Sequence, residues 1–547
     1  MKRNWLVLIC MLCIPSSVMA LTDPHEAFLS HGRQIRSQLF ETLPVHDRGR
    51  IKPAHTFMRE AILFVTGGYN FSGLDAVQTY LSLIGFSEIE RLKVLNVRHV
   101  PVRKALGLNA SARFFSTADI ESSKLLEFAQ PLLEKEEKNS RALEPHEKNL
   151  LEIYNQYWLL KNIHSGQHLL RAVDANEVGH AAEFHQEPTG EAVQKVRDWL
   201  QATIDGNWNL VSELRSLTFE AVRQQHWPEL FAKQFEHLER EVQYNKIRPF
   251  LIAGLLFLIL GASLAFKDHV PFLSKVNFGY LLVLPFFPLA YGLYLRVIIT
   301  GFAPVTNMYG TMIWVSFGIG LFSLVLWYLY QKHRFVGGLW IAAAATLFLT
   351  ESIPLVLSPD LDPIVAVLRS NLWLTIHVLT IVISYAAFAI AMILGNIVLI
   401  RTLRRPVYDD PAIRDAAKSC YRMIQLGVFL LSGGIILGGV WADYSWGRFW
   451  GWDPKETWAL IADLGFLAIL HAKYVGWLGA YGLLAASTVA FLLVIMAWYG
   501  VNFILAAGLH SYGFSSGGAT MVLVFVIMQL GLLAASLMRY SRSKVVR

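Results

Sequence analysis

Cysteine is nearly missing from this chain, with three in 547 residues. Cys10 and Cys13 form a C-x-x-C inside an N-terminal apolar run expected to be removed, and Cys420 stands alone. A mature chain with one thiol forms no internal disulfide and holds no thiol pair with which to reduce another protein. Redox chemistry must then come from a bound group or a partner. Charge is scarce as well: 16% of residues against 54% hydrophobic, which sets aside the several soluble domains that the length alone suggests. The net charge of +7 lies largely at the ends of apolar segments, where it orients helices in a bilayer rather than marking nucleic acid. Neither an internal repeat nor a low-complexity tract is evident.

The opening MKRNWLVLICMLCIPSSVMA has two positive charges, a short apolar run and small residues at Val18 and Ala20. It reads as a secretory signal peptide, residues 1–20, cut after Ala20. An uncleaved anchor is the alternative, although the run falls short of the ~20 residues of a spanning helix. Residues 21–246 read as a mostly helical extracytoplasmic domain, with charged runs and helically spaced leucines such as PLLEKEEKNSRALEPHEKNLLEIYNQYWLL. His164 and His168, at i and i+4, have a metal-binding spacing, but a solvated helix face is preferred because no third ligand completes a motif.

From 247 to 547 the chain reads as a membrane domain. Nine apolar segments lie near 249–266, 278–299, 311–330, 336–357, 371–400, 421–440, 457–474, 481–507 and 518–538. Each has the length of a spanning helix. Basic clusters at 331–334, at Arg401, Arg404 and Arg405, at Lys473 and in the tail alternate as cytoplasmic ends should. Counting back places residue 21 outside, in agreement with the signal. The expected class is therefore mainly α: a polytopic membrane protein of about nine helices with an N-terminal helical domain outside.

One external loop, 441–458, reads WADYSWGRFWGWDPKETW. It gathers Trp441, Trp446, Trp450, Trp452 and Trp458 around Arg448, Asp453, Lys455 and Glu456. One or two interfacial indoles serve as membrane anchors; five together suit a flat aromatic ligand. His377, near the outer end of the fifth segment, and His510, after the eighth, should flank this loop on the same side. Neutral imidazoles suit iron, and a pair on opposite faces of a porphyrin gives six-coordinate haem. Arg448 and Lys455 are candidates for the propionates, with lipid headgroup contact as their plainer reading. Asp453, Pro454 and Glu456 match a capping box that starts the next helix. His471 lies seventeen residues beyond Pro454, ~26 Å along a helix, near the opposite face of the membrane. It cannot share a haem with the other two. Asp463, between them, has no obvious partner.

WGRFWGWDPKETW resembles the tryptophan-rich WWD signature of haem-handling proteins in cytochrome c biogenesis. The likeness is closest to the CcsA type of System II and extends to IHVLTIVISYA around His377, the segment leading to His471, and GVNFILAAGLHSYG around His510. It implies a haem b cargo, His377 and His510 as external axial ligands, and an inner haem site at His471. It also implies a separate CcsB (ResB-like) partner supplying the other inner histidine, in place of which His269 and His333 are weaker candidates. Apocytochrome c is the implied acceptor, kept reduced by thiol-reducing proteins. The implied activity is presentation of haem and its attachment to CXXCH cysteines, as a holocytochrome c synthase component. A haem exporter of the CcmC kind and a haem b electron-transfer subunit are the rival readings. GFAPVTNMYGTM resembles a family stretch, but has Gly310 where that stretch often has Glu. LPVHDRGRIKPAHTF resembles the leader region of larger CcsA-like proteins.

Overall fold

The computed structural model describes residues 23–139, 143–174, 188–225, 227, 232–363, 372–404, 410–505 and 518–545. The expected signal peptide and His510 lie outside the described residues. The chain divides into two compact units, and the division is not a single cut. The first takes Met1–Val45 and Phe57–His226; the second takes His46–Thr56 and Trp227–Arg547.

The first unit is helical, built on helices such as Ala76–Leu83, Pro145–His164, Glu191–Ile204 and Trp208–Gln224. In Glu191–Ile204 the buried residues Val193, Val196, Trp199, Leu200 and Thr203 recur every three or four positions, which turns one face inward. Trp199 is fully buried, stacks on Phe40 at 4.1 Å, and donates its indole N–H to the Val211 carbonyl at 2.8 Å. A two-residue antiparallel ladder pairs Leu95 with Phe115. His164 and His168 serve this packing. His164 Nδ1 donates to the Leu83 carbonyl at 3.0 Å, and the His168 ring stacks on Phe57 at 4.3 Å with Tyr80 Oη 2.8 Å from its Nδ1. Among the described residues, no three His, Cys, Asp or Glu side chains are grouped to hold a metal ion.

The second unit begins at a hairpin of β1 (Pro44–Asp47) and β2 (Arg50–Pro53), whose turn and second strand belong to it. Its helices follow: α1 (Leu238–Ile247), α2 (Pro249–Ala265), α3 (Phe286–Thr300), α4 (Met308–Tyr330), α5 (His333–Ser352), α6 (Leu372–Arg404), α7 (Pro411–Trp446), α8 (Pro454–Tyr474) and α9 (Ala480–Ile495). A π-helix (Met496–Leu505) continues α9, and α10 spans Ala519–Val545. Most are apolar on all sides, as helices facing lipid must be. Among the described residues, eight are long and apolar enough to cross a membrane, the first running through α1 and α2. The class is the expected one, a mainly α polytopic membrane protein. The expected segment missing from these eight is the seventh, 457–474, which forms α8: at 21 residues it has the length, but Asp463, His471 and Lys473 dilute its apolarity.

α6 is the most enclosed span, with 61% of its apolar window buried against 6% for α10. Phe388 on α6 stacks on Phe466 of α8 at 3.8 Å, and Gly427 on α7 leaves room for that ring. Further along α7, a Cβ at Gly434 would lie 2.7 Å from Ile381 of α6. Small residues at this spacing let two helices approach where no hydrophobic effect drives them together. Because successive helices alternate in direction, the N-terminal ends of α4, α6 and α8 meet the C-terminal ends of α7 and the π-helix. That end of the bundle holds the cavity.

Candidate haem site

A cavity of about 400 Å³ opens there, within the range of small-molecule sites. Its wall is assembled from distant parts of the chain: Met308 from α4, His377 from α6, Trp441 from α7, Trp450 from the following loop, Lys455 from α8 and Trp498 from the π-helix. His377, Trp441, Trp450 and Lys455 line the cavity; Trp446, Trp452 and Trp458 are not among its lining residues.

His377 is held by α7. Its Nδ1 lies 2.7 Å from the carbonyl oxygen of Gly434, which can only accept, so Nδ1 carries the proton. In the neutral ring the lone pair then sits on Nε2, the arrangement of a metal-ligating imidazole oriented by a second group. His471 has the same tautomer. It is exposed near the end of α8, and its Nδ1 donates to the Leu467 carbonyl at 2.8 Å. His333 has the opposite one, since Trp327 donates its indole N–H to His333 Nδ1 at 3.0 Å. Arg334 Nη2 lies 3.0 Å from His269 Nδ1, its nearer acceptor, and 3.5 Å from Nε2. His269 and His333 are therefore poorly prepared to ligate iron through Nε2.

The loop between α7 and α8 is closed by its own polar groups. Gly447, at φ 69°, ends α7. Asp453 is the N-cap of α8, with Pro454 at the first position and Glu456 completing the capping box. Asp453 accepts from the Lys455 N–H at 2.9 Å, while Glu456 Oε2 accepts from the backbone N–H groups of Gly451 at 2.8 Å and Asp453 at 3.1 Å. Arg448 places its guanidinium 3.6 Å from Glu456 Oε1 and 5.8 Å from the Trp446 ring. Both candidate propionate cations are thus engaged within the protein, because Lys455 Nζ donates to Asn502 Oδ1 at 2.9 Å. Trp441 is buried and meets Trp446 edge-on at 4.6 Å; Trp450 meets Trp452 perpendicularly at 5.8 Å. Trp452 itself is 70% exposed, with φ at 55°.

Several wall residues escaped the sequence reading. Asn502 joins Lys455 to the π-helix and reaches Met308 Sδ at 3.7 Å. Both residues lie in stretches that carry the family likeness, GVNFILAAGLHSYG and GFAPVTNMYGTM, and that is the signal that marks them. At Gly310 a Cβ would lie 2.8 Å from the Pro304 carbonyl oxygen, so this chain has no room there for an acidic side chain without a shift of backbone. Asp463 is buried on α8 and accepts from Ser432 Oγ at 2.7 Å, a partner on α7 that the sequence could not supply.

A polytopic helical membrane unit with a histidine, indoles and a lysine around one cavity is the class of protein that the fold and the site define. Residues 305–510, which carry most of that wall, match the family model described as cytochrome C assembly protein. The chain is 34% identical over 302 residues to the cytochrome c biogenesis protein CcsA of Prochlorococcus marinus strain MIT 9301, covering 96% of that protein and 49% of this chain. It is 31% identical to the CcsA of Porphyra purpurea, covering 98% of that protein and 50% of this chain. Protein NrfI of Wolinella succinogenes is 27% identical over 93% of this chain, which spans 59% of NrfI's length. The chain belongs to the CcsA family of cytochrome c biogenesis proteins.

Proposed function

We propose that this protein binds haem b as its cargo and presents it on the extracytoplasmic side for attachment to the CXXCH cysteines of apocytochrome c. The cavity carries the reading: an imidazole with its Nε2 lone pair prepared lies in one wall with Trp441, Trp450 and Lys455. His377 supplies one axial ligand and His510, on the chain beyond the π-helix, the other. The indoles cover the apolar porphyrin, and Lys455 and Arg448 exchange their present partners for propionates. His471 belongs to an inner site completed by a CcsB (ResB-like) partner. The N-terminal domain and the tryptophan loop then face outward, and the C-terminus lies in the cytoplasm.

The protein's contribution is positioning. It fixes the porphyrin edge so that two acceptor thiols reach the vinyl groups, and thiol-reducing proteins keep those thiols available. Full-length protein purified with its partner should show a low-spin haem spectrum, lost in His377→Ala and in His510→Ala. A wild-type spectrum in either variant would overturn the ligand assignment. Incubation with reduced apocytochrome separates synthase from exporter: thioether-linked product supports the first, and release of free haem alone the second.

A further inference from the structure

The hairpin turn carries an arginine against its backbone preference. Arg48 has φ 48° and Gly49 φ 76°, a two-residue turn with both angles positive, where Asn, Asp or Gly is the comfortable first residue. A long L side chain in this region persists only where its surroundings hold it there. Those surroundings are visible. Arg48 Nη1 lies 3.2 Å from Asp360 Oδ2 and 3.2 Å from Asp362 Oδ2, both in the segment that follows α5. The base of the hairpin is fixed separately. Arg50 makes a two-pronged pair with Glu241 of α1 at 2.7 and 2.8 Å, both side chains buried, and the Ile51 N–H donates to Gln234 Oε1 at 2.6 Å. Asn245 of α1 donates to Thr56 Oγ1 at 2.9 Å.

The segment that Arg48 grips in turn holds the cavity wall. Asn307 Nδ2 donates to the carbonyls of Ser358 at 3.0 Å and Asp360 at 3.2 Å, while Asn307 Oδ1 caps α4 by accepting from the Gly310 N–H at 2.9 Å. Asn307, Met308 and Thr311 line the cavity. Arg296 Nη1 supports the same segment from the bundle side through the Pro359 carbonyl at 3.2 Å. An unbroken set of polar contacts therefore runs from the hairpin tip through Asp360 to the first turn of α4.

We infer that Arg48 is a positioning residue for the cavity: its grip on Asp360 and Asp362 holds the 358–362 segment, and through Asn307 the α4 rim, at the spacing that retains haem. The chain on both sides of the hairpin continues into the N-terminal unit. The haem readout rests on the function proposed above; the rim readout does not.

Arg48→Gly separates the guanidinium from hairpin integrity, because glycine relieves the backbone strain while removing the side chain. In full-length protein, hydrogen exchange of the peptide covering 304–312 should quicken several-fold with the 44–53 peptide still protected, and bound haem should dissociate several-fold faster. Asp360→Asn combined with Asp362→Asn should reproduce both effects, and adding Arg48→Gly to it should add nothing. Wild-type protection of 304–312 in Arg48→Gly overturns the inference. Faster exchange there in a protein whose wild type takes up no haem would support the strut and refute the proposed cargo.

Discussion

Gly438 and His377 are fitted to each other: a Cβ on Gly438 would lie 2.5 Å from the imidazole Cε1 and 2.7 Å from Nδ1. One turn earlier on the same helix, Gly434 supplies the carbonyl that fixes the ring's tautomer. α7 thus offers His377 a bed of glycine backbone, with a carbonyl acceptor at one side. Gly438→Ala should displace the ring, at an overpacking cost of about 1–3 kcal/mol. Gly433, whose Cβ would meet nothing within 4 Å, provides the matched control in the same helix. Absorption spectra of the two purified variants check this, with low-spin haem lost from Gly438→Ala and kept by Gly433→Ala.

Trp452 combines high exposure with a left-handed backbone. A non-glycine residue held there costs roughly 1–3 kcal/mol, and little burial offsets it. Trp452→Gly should therefore raise the melting temperature of the protein while shortening the lifetime of bound haem. Thermal unfolding followed together with haem dissociation distinguishes an indole kept for its ligand from one kept for stability.

The first unit carries a pH dependence of known sign. Glu121 accepts from Lys161 Nζ at 2.6 Å and from Tyr157 Oη at 2.7 Å. The Lys161 hydrogen bond first, and then that of Tyr157, hold its carboxyl below the ordinary carboxylate value. A depressed folded pKa gives stability that is full above the unfolded pKa and lost as pH falls through the folded one. With both partners about a third exposed, solvent screening limits the pair to about 0.2–1 kcal/mol. Wild type should exceed Glu121→Gln in melting temperature near neutrality, and the gap should close as the solution is acidified below pH ~4.

What was legible in the sequence was whatever a short stretch can encode. The apolar segments announced helices because a bilayer demands continuous runs, and Asp453, Pro454 and Glu456 announced the start of α8 because a cap is local. His377 stood out as an imidazole among aliphatic residues. What remained hidden depends on contacts between distant segments. Ser432 as partner of Asp463, Asn502 as partner of Lys455 and Asp360 as partner of Arg48 are 31, 47 and 312 residues away. Local patterns carry no record of such pairs. α8 shows the opposite limit: its length marked a span, while its polar residues, legible one by one, lowered its apolarity in a way that only the sum reveals.

The tautomers of four histidines make the last prediction. A ring that donates from Nδ1 to a carbonyl presents Nε2 as a base, whereas one that accepts at Nδ1 carries its proton on Nε2 and must lose or move it before ligating. His377 and His471 are of the first kind, and His333 and His269 of the second. A metal-ligating histidine gains basicity from such an outer partner, whose loss typically weakens the site by roughly 10–100-fold. His471→Ala should therefore lower the haem content of the purified complex, and exogenous imidazole should restore part of it by filling the vacated position. His333→Ala and His269→Ala should retain haem at wild-type occupancy, and imidazole should change nothing. If His333→Ala lost haem and imidazole rescued it, the hydrogen bond from Trp327 would have to break on loading. Trp327→Phe would then bind haem more tightly than wild type, a result that the present assignment forbids.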